Sequence, residues 1–308
     1  MPRNAGIIGP LATTPTTSAA VGVYGLAGQQ HNAGNWPDGT PILSIDWLIV
    51  AGGGGGGSSG GDGIGGAGAG AGDLKSASGE VAQGTSFSVV IGAGGSTDAN
   101  GANSTFNSIT GIGGGRGSKS AGSGNAGGDG GSGGSGSFNA GSGYHAPGSA
   151  TGDGYNGTAQ TETSDYSPGG GGAGGLGAAS VNATKTSGAG GIGVANSLSG
   201  SSVGYAGGGG GGARNKSGST AGTASSGGGA GNRNGNGVAG SANLGGGGGG
   251  GAWSDAISPN ARTGGAGGSG VVIIRYSSGS PQASGGTITS GGGYQIHTFT
   301  SSGTFATS

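Results

Sequence analysis

Glycine occupies 94 of the 308 positions, and no other property of the chain restricts its fold as strongly. Ordinary proteins contain only about 7% glycine. Glycine loses more conformational freedom on folding than other residues, which weakens helices and isolated strands built from it. An ordered structure of this composition needs another stabilising contribution. Close packing of extended backbones can provide one, because neighbouring chains then pair their N–H and C=O groups.

The apolar and charged content narrows the choice of fold further. Leu, Ile, Val and Phe together number only 40 residues, and the formal net charge is −1. Disordered chains usually combine low apolar content with high net charge, and the second property is missing here. Three options remain: a flexible linker, an elastic fibre, or a glycine lattice held by main-chain hydrogen bonds.

Short apolar runs near the two ends of the chain have the composition of β-strands. They are 4–8 residues long, rich in β-branched and aromatic types, and bounded by Gly, Ser or Asn,. No apolar helical period continues for long without glycine, so we expect an all-β fold with a small β-sandwich-like base. Strands are predicted near 43–51, 86–92, 104–112, 271–276 and 294–306. The predicted apolar contacts of this base are Trp47, Val50, Val89, Ile91, Ile273, Tyr276, Ile296 and Phe299.

Residues 113–256 contain only nine Leu, Ile, Val or Phe residues, too few for a side-chain core. Glycine runs begin there at Gly169, Gly207 and Gly245, 38 residues apart, which is either a repeat or chance,. Part of the region has a period of three, matching the three residues per turn of a polyproline-II-type helix. We therefore predict a non-regular body of packed polyglycine-II-type extended helices. The alternative is a solvated Gly/Ser linker.

These composition changes divide the chain into four parts. Residues 41–112 are predicted to form the first half of the β base with glycine loops, 113–256 the glycine-rich body, and 257–308 the strands that complete the base. Residues 1–40 are too sparse in apolar residues for a domain and are predicted to be a docking arm, the alternative being a disordered tail. The candidate docking residues of this arm are Arg3, Ile7, Ile8, Tyr24, Trp36 and Pro37.

The sequence shows no pattern typical of catalysis. Glycine-loop motifs are uninformative in a chain with this much glycine, and there is no cysteine. The three histidines are isolated, and the eleven carboxylates form no visible acid–base pair,. We predict a protein that is not an enzyme and has no catalytic, metal-binding or cofactor-binding residues and no cofactor. The near-neutral charge argues against nucleic-acid binding, and the absence of a long apolar run argues against membrane insertion.

A few large residues stand out against the glycine background in predicted loops. Aromatic rings beside hydrogen-bonding groups are common in sites that hold sugars and other surface ligands. The alternative is that these residues cap the ends of the lattice or pack between protomers. The candidate receptor-contact residues are Tyr144, His145, Tyr155, Asn156, Tyr166, Arg214, Lys216, Arg233 and Trp253.

Several motifs resemble the glycine-rich domain of bacteriophage tail-fibre and adhesin structural proteins, of the type found in marine phages. The motifs are Asp46 to Ala51 running into Gly52–Gly57, Phe87 to Gly95, Gly270 to Tyr276, and Tyr294 to Phe305. The residues from Met1 to Pro37 resemble the leader of some marine phage virion proteins. The chain departs from known tip adhesins in this arm and in its terminal pair of strands.

The resemblance implies a virion structural protein, most simply a tail fibre or fibre-tip adhesin that contributes to host-surface attachment. Implied partners are other virion proteins, bound through the arm, and a host-surface glycan or outer-membrane receptor. A small core also favours a homo-oligomer, and phage fibres suggest a trimer. One alternative is a capsid-decorating or connecting virion protein without a receptor role. The second is a bacterial surface or extracellular-matrix glycine-rich fibre.

Overall fold

The computed structural model describes residues 42–60, 63–121, 125–254, 261–277 and 282–308. The predicted docking arm, with Arg3, Ile7, Ile8, Tyr24, Trp36 and Pro37, lies outside the described residues. The described strands are β1 (Ile42–Val50), β2 (Leu74–Ala82), β3 (Ser86–Val90), β4 (Ser104–Phe106), β5 (Ile109–Gly111), β6 (Phe138–Asn139), β7 (Gly143–Tyr144), β8 (Val194–Asn196), β9 (Val203–Tyr205), β10 (Val271–Ser277), β11 (Ala283–Ser284), β12 (Thr287–Gly291), β13 (Tyr294–Phe299) and β14 (Gly303–Thr307).

Two five-stranded antiparallel sheets form the base of the protein. The first has the strand order β12-β13-β10-β1-β2, and the second has the order β11-β14-β3-β4-β5. Pairing of β1 with β10, and of β3 with β14, joins the beginning of the described chain to its end. The all-β class predicted from the sequence is therefore correct.

Strand β1 shows how the first sheet is buried on both of its faces. Leu43, Ile45 and Ile49 point to the second sheet, whereas Leu48 and Val50 point to the opposite face, against the glycine-rich region. This alternation follows from the two-residue period of a strand. All eight predicted contact residues belong to these two apolar clusters: Trp47, Val89, Ile91, Tyr276 and Phe299 between the sheets, and Val50, Ile273 and Ile296 on the other face.

Strands occur in each predicted region, and β2, β6 to β9, β11 and β12 form outside those regions. Region 104–112 contains a tight hairpin of β4 and β5, whose turn residues Asn107 and Ser108 have positive φ. Region 294–306 contains two strands that enter different sheets, β13 and β14. Strand β2 was not predicted, because its sequence LKSASGEVA lacks an apolar pattern. It forms because β1 offers a hydrogen-bonding edge along its whole length.

The glycine body comprises the described residues of 51–73, 92–103 and 112–270, outside the two large sheets. Its central segment is 65–73, and each N–H of that segment donates to a carbonyl of another segment. Six surrounding segments exchange main-chain hydrogen bonds with it and with one another in a closed ring. In order around the central segment these are 51–57, 112–118, 132–135, 165–172, 207–212 and 245–251.

Every third N–H of the central segment points to the same neighbour. Gly66, Ala69 and Gly72 donate to residues 251, 248 and 245 at 2.9–3.0 Å, and the next N–H in each case donates to segment 112–118. No helix is assigned among the described residues, so polyglycine-II helices are not supported as assigned elements. The structure shows extended segments whose hydrogen bonds have a period of three. The central segment lies in the part of the sequence that was predicted to belong to the base.

Glycine is required in this body because backbones approach each other so closely. A Cβ atom added at Gly53 would lie 2.1 Å from the carbonyl oxygen of Gly246, and one at Gly209 would lie 2.0 Å from that of Gly248. The three equally spaced glycine runs all belong to the ring. Segment 165–172 is parallel to the central segment, whereas 207–212 and 245–251 are antiparallel to it. The 38-residue spacing therefore does not mark three identically oriented units.

Candidate functional site

The loops of the glycine body gather at the end away from the two sheets, which we call the distal end. Segment 51–57 leaves β1 and segment 65–73 enters β2, so the residues between them lie far from the sheets. The main-chain hydrogen bonds of the other segments align their far ends with these residues, so the loops that join those segments lie at the same end. The distal end comprises the described residues of 58–64, 97–99, 119–121, 137–145, 159–166, 179–187, 213–221, 232–236 and 252–263.

Charge is unevenly distributed between this end and the rest of the described chain. The distal end carries six cations, Lys119, Lys185, Arg214, Lys216, Arg233 and Arg262, and its described carboxylates are Asp98, Glu162 and Asp165. Asp62 and Asp255 lie outside the described residues. The remainder of the described chain carries three cations, Lys75, Arg116 and Arg275, and five carboxylates, Asp46, Asp73, Glu80, Asp129 and Asp153. The distal end is thus the cationic part of the described molecule.

Three of the distal cations converge on one loop, 213–221. Lys185 Nζ donates to the carbonyl oxygen of Ser217 at 3.1 Å, and Arg233 Nη1 donates to that of Ser219 at 3.1 Å. Lys216 belongs to the loop itself. The two carbonyls are two residues apart, so at most about 7 Å of chain separates them. We call Lys185, Lys216 and Arg233 the cation cluster.

Asp165 is the carboxylate beside this cluster. Its Oδ1 lies 3.4 Å from Nη1 of Arg214, and its Oδ2 forms a short ion pair with Nζ of Lys216. Burial raises the pKa of Tyr166, next to it in the chain, and the charge of Asp165 raises that pKa further. Lys185 and Arg233 have carbonyl oxygens, not carboxylates, as their hydrogen-bond partners among the described residues. Sequence reasoning missed Lys185, because only the fold brings residue 185 beside residue 217.

Uncharged polar side chains surround the cluster. Asn215 Nδ2 donates to Asn234 Oδ1 at 3.0 Å and also lies 3.3 Å from the hydroxyl of Ser254. Ser217, Thr220 and Asn234 are exposed. The loops therefore offer hydroxyl and amide groups on the same surface as the three cations.

Three of the candidate contact residues are buried and act as packing residues in this structure. Tyr166 is 1% exposed, His145 is 7% exposed and Trp253 is 9% exposed. Tyr166 forms an isolated main-chain β-bridge with Ala213, and Trp253 forms β-bridges with Arg214 and with Ala261. These contacts hold the 213–221 loop on the body.

The remaining aromatic candidates are exposed at two separate places. Tyr144, on the β6–β7 hairpin at the distal end, is 51% exposed and contacts Phe138 with ring centroids 5.2 Å apart and the rings tilted by 55°. Tyr155 is 44% exposed, but its N–H donates to Gly172 in the half of the body nearer the sheets. Asn156 accepts a hydrogen bond from the N–H of Ala150 through Oδ1, so its exposed amide is partly occupied in shaping a turn.

One histidine lies in a polar arrangement worth testing for nucleophilic catalysis. Nδ1 of His145 lies 3.1 Å from the hydroxyl of Ser118 and 3.3 Å from that of Ser137, and Nε2 lies 3.4 Å from that of Ser142. Ser118 and Ser137 are buried, whereas Ser142 is exposed. A triad needs an accessible nucleophile and a group that orients its base. Among the described residues, the hydrogen-bond partners of His145 include no carboxylate to orient it as a base, and they attach the residue after β7 to Ser118 and Ser137.

A polar cleft of about 430 Å³ opens on the base, where the first sheet extends beyond the glycine body. Asp46 and Arg275 pair across it at 2.9 Å, and the guanidinium of Arg275 lies 4.3 Å from the ring centroid of Tyr294. The hydrogen bond from Ser78 and that from Arg275 lower the pKa of Asp46. Asp46 and Arg275 are thus paired with each other, and Glu80 also lines the cleft.

Two kinds of feature are absent from the described ranges. Within them, no three His, Cys, Asp or Glu residues are grouped so that they could hold a metal ion. Within the same ranges, no helix has both the length and the apolar character needed to cross a bilayer.

Comparison with known proteins gives one match. The family described as a glycine-rich domain matches residues 26–277, which is well over half of the chain. No curated protein and no solved structure matches.

Proposed function

The chain belongs to the glycine-rich domain family, and from that premise we propose that it is a structural protein of a phage virion, a tail fibre or fibre-tip adhesin. In this proposal the protein resides on the surface of the particle and the distal end of the glycine body contacts the host surface. In the same proposal, residues 1–40 attach the protein to other virion proteins.

One observation carries the attachment role. The start of β1 and the distal loops lie at opposite ends of the described structure. The chain enters the base at Ile42, at the start of β1, and the glycine body follows the other end of that strand. The distal loops contain the exposed cations and Tyr144, on a scaffold whose segments are held by main-chain hydrogen bonds. Binding residues are commonly found on loops that a well-ordered scaffold positions.

The phage assignment is supported by the strand motifs from Asp46 to Ala51 and from Gly270 to Tyr276, which resemble those of phage tail-fibre and adhesin domains. In the fold these two motifs are adjacent strands, with Trp47 opposite Ile274 and Val50 opposite Val271. Both carry residues of the two apolar clusters, so they are central to the fold of the base.

The location of the chain in an intact particle tests this proposal. Antibodies against the distal loops, coupled to gold, should label the tips of fibres in electron micrographs of the phage. The same antibodies should block adsorption to host cells. Label on the capsid shell would favour a decorating protein. Label on fibres without any block of adsorption would favour a connecting protein. Secretion by uninfected bacteria, with no label on particles, would favour a bacterial surface or matrix fibre.

Self-association forms part of the same proposal. The outer edges of the first sheet, β2 and β12, lack a partner strand in the described chain, and most of their residues are exposed. Such edges can pair with another chain. We expect a homo-oligomer, a trimer by analogy with phage fibres. Measurement of the mass in solution by light scattering tests it, and a monomer at micromolar concentration would contradict it.

A further inference from the structure

We propose that the cation cluster at the distal end, Lys185, Lys216 and Arg233, binds an acidic polysaccharide. This inference deepens the proposed attachment function, and rests on it for the biological setting. The ligand is a chain of sugars that carries carboxylate groups, and its acid groups pair with the three cations while its hydroxyls bond to the neighbouring polar loops.

The geometry places three positive charges around one turn. Lys185 and Arg233 come from neighbouring loops and reach the carbonyls of Ser217 and Ser219, and Lys216 belongs to the same turn. Lys185 and Arg233 are exposed, and the side chain of Lys216 is 45% exposed. Carbonyl partners orient the first two side chains without neutralising them, so their charge remains available to an anion in solvent.

Two described carboxylates, Asp165 and Glu162, belong to the loops around the cluster, and neither bonds to Lys185 or Arg233. Asp165 is shared between Lys216 and Arg214, and Glu162 accepts a hydrogen bond from the N–H of Asn182 at 3.2 Å. The guanidinium of Arg214 packs between Asp165 and the backbone of Gly63. It lies so close to Gly63 that a Cβ atom added there would be 2.7 Å from Nη1 of Arg214. We therefore assign no ligand contact to Arg214.

The surrounding side chains favour a polysaccharide over a nucleic acid. Exposed Ser217, Thr220 and Asn234 supply hydroxyl and amide groups of the kind that bond to sugar hydroxyls,. Single-stranded nucleic acids are held by aromatic rings on which bases stack. The aromatic rings beside this cluster, Tyr166 and Trp253, are buried. The formal net charge of −1 over the whole chain also opposes duplex binding, which depends on neutralising many phosphates,.

The test uses the full chain and polygalacturonate, a polysaccharide with one carboxylate per sugar, in a calorimetric or surface-binding assay. Dextran of similar length is the neutral control, and single-stranded and duplex DNA are the competing polyanions. The wild-type protein should bind polygalacturonate, bind dextran undetectably and bind both DNAs more weakly. Its affinity should fall with added salt, because salt screens the ion pairs and reduces the entropy gained when counterions are released from both partners.

The triple variant Lys185→Gln, Lys216→Gln, Arg233→Gln should bind polygalacturonate about tenfold more weakly, if each exposed ion pair contributes about 0.5 kcal/mol. Its salt dependence should also be shallower. The matched control is Lys185→Arg, Lys216→Arg, Arg233→Lys, which keeps all three charges and should bind to within about threefold of wild type. The three side chains are exposed, so both variants should unfold at nearly the wild-type temperature.

Several results would overturn the inference. These are no binding of polygalacturonate at low salt, equal binding of dextran, tighter binding of either DNA, or an unchanged affinity in the triple Gln variant. These outcomes are separable from failure of the proposed function. If gold-labelled antibodies mark the fibre tips but the triple variant binds normally, attachment stands and the polysaccharide assignment fails. If the variant loses binding but particles lack the chain, the binding surface stands and the virion role fails.

Discussion

The β sandwich and the glycine body are both closely packed, but different atoms fill their interiors. Between the sheets, the rings of Phe87, Phe106 and Phe305 pack with centroids 6.0–6.5 Å apart. In the glycine body, the interior consists of peptide groups. Six other segments surround the central segment 65–73 and are joined to it by main-chain hydrogen bonds of 2.8–3.5 Å. Removing a side chain damages the first region, and adding one damages the second.

The largest expected effect is that of adding a methyl group to the glycine body. In Gly209→Ala the new Cβ would lie 2.0 Å from the carbonyl oxygen of Gly248, a backbone atom of an adjacent segment. Overpacking an ordinary core costs about 1–3 kcal/mol, and here the cost should be higher, because every neighbour is a hydrogen-bonded backbone. We expect rapid amide exchange throughout segments 65–73 and 207–212, measured by deuterium exchange with mass spectrometry.

Gly79→Ala is the matched control for that change. Gly79 lies in β2 with no atom within 4 Å of an added Cβ. Its substitution should leave amide exchange in the glycine body unchanged. Slow exchange in Gly209→Ala, equal to that of the control, would contradict the view that contact between backbones requires glycine there.

The second effect is the loss of a buried ring from the sandwich. Phe305 is 0% exposed and contacts Phe106 and His297 edge-on. Phe305→Ala should lower the free energy of unfolding by about 3–5 kcal/mol, because a cavity remains where the ring was. Thermal or urea unfolding followed by tryptophan fluorescence, to which Trp47 in the same core contributes, measures it. A loss below about 1 kcal/mol would indicate that the sandwich adapts more readily than its packing suggests.

The third effect depends on pH and concerns His297, which is buried in the sandwich. Its Nδ1 donates to the carbonyl oxygen of Gly285 at 2.7 Å, and its Nε2 lies 3.3 Å from the hydroxyl of Tyr276. Burial lowers the pKa of His297 from its usual 6.5, although the Gly285 carbonyl opposes this. The stability that the neutral ring contributes is therefore complete above pH 6.5. It is lost as the pH falls through the lowered pKa.

Unfolding temperatures measured from pH 7.5 down to pH 4.5 check this expectation. The wild-type protein should lose stability over the lower part of this range, and His297→Gln should show a flatter profile. Parallel profiles would mean that another group is responsible. His297 is buried in the sandwich, where it contacts Phe305. Amide exchange in the glycine body should therefore change less over the same pH range.

The smallest effect is expected at the polar cleft of the base. The Asp46 carboxylate pairs with Arg275 at 2.9 Å and accepts a hydrogen bond from the Ser78 hydroxyl at 2.6 Å. Asp46→Asn removes its negative charge. The pair is partly exposed, so solvent screening limits the loss to about 1 kcal/mol or less. The loss should diminish at high salt in urea titrations. A loss comparable to that of Phe305→Ala would show that the pair is structurally more important than its exposure indicates.

The sequence alone was sufficient to predict the class of the fold and eight residues of its apolar clusters. Runs such as ILSIDWLIV have the alternation and composition of strands, and the eight predicted contact residues all lie in the two clusters. The candidate site was only partly predictable. Arg214, Lys216 and Arg233 stood out by their size, but burial of Tyr166, His145 and Trp253 depends on contacts with segments distant in sequence.

The amino-acid sequence determined local features. These are where strands can form, where no side-chain core is possible, and where the chain consists of glycine runs. The tertiary structure decided which glycine segments are neighbours and which loops share the distal end. Polyglycine segments have almost no side chains to distinguish one neighbour from another, so their order around residues 65–73 depends on chain connectivity and main-chain hydrogen bonding. For the same reason Lys185 joined Lys216 and Arg233 only in the fold, through contacts with the carbonyls of Ser217 and Ser219.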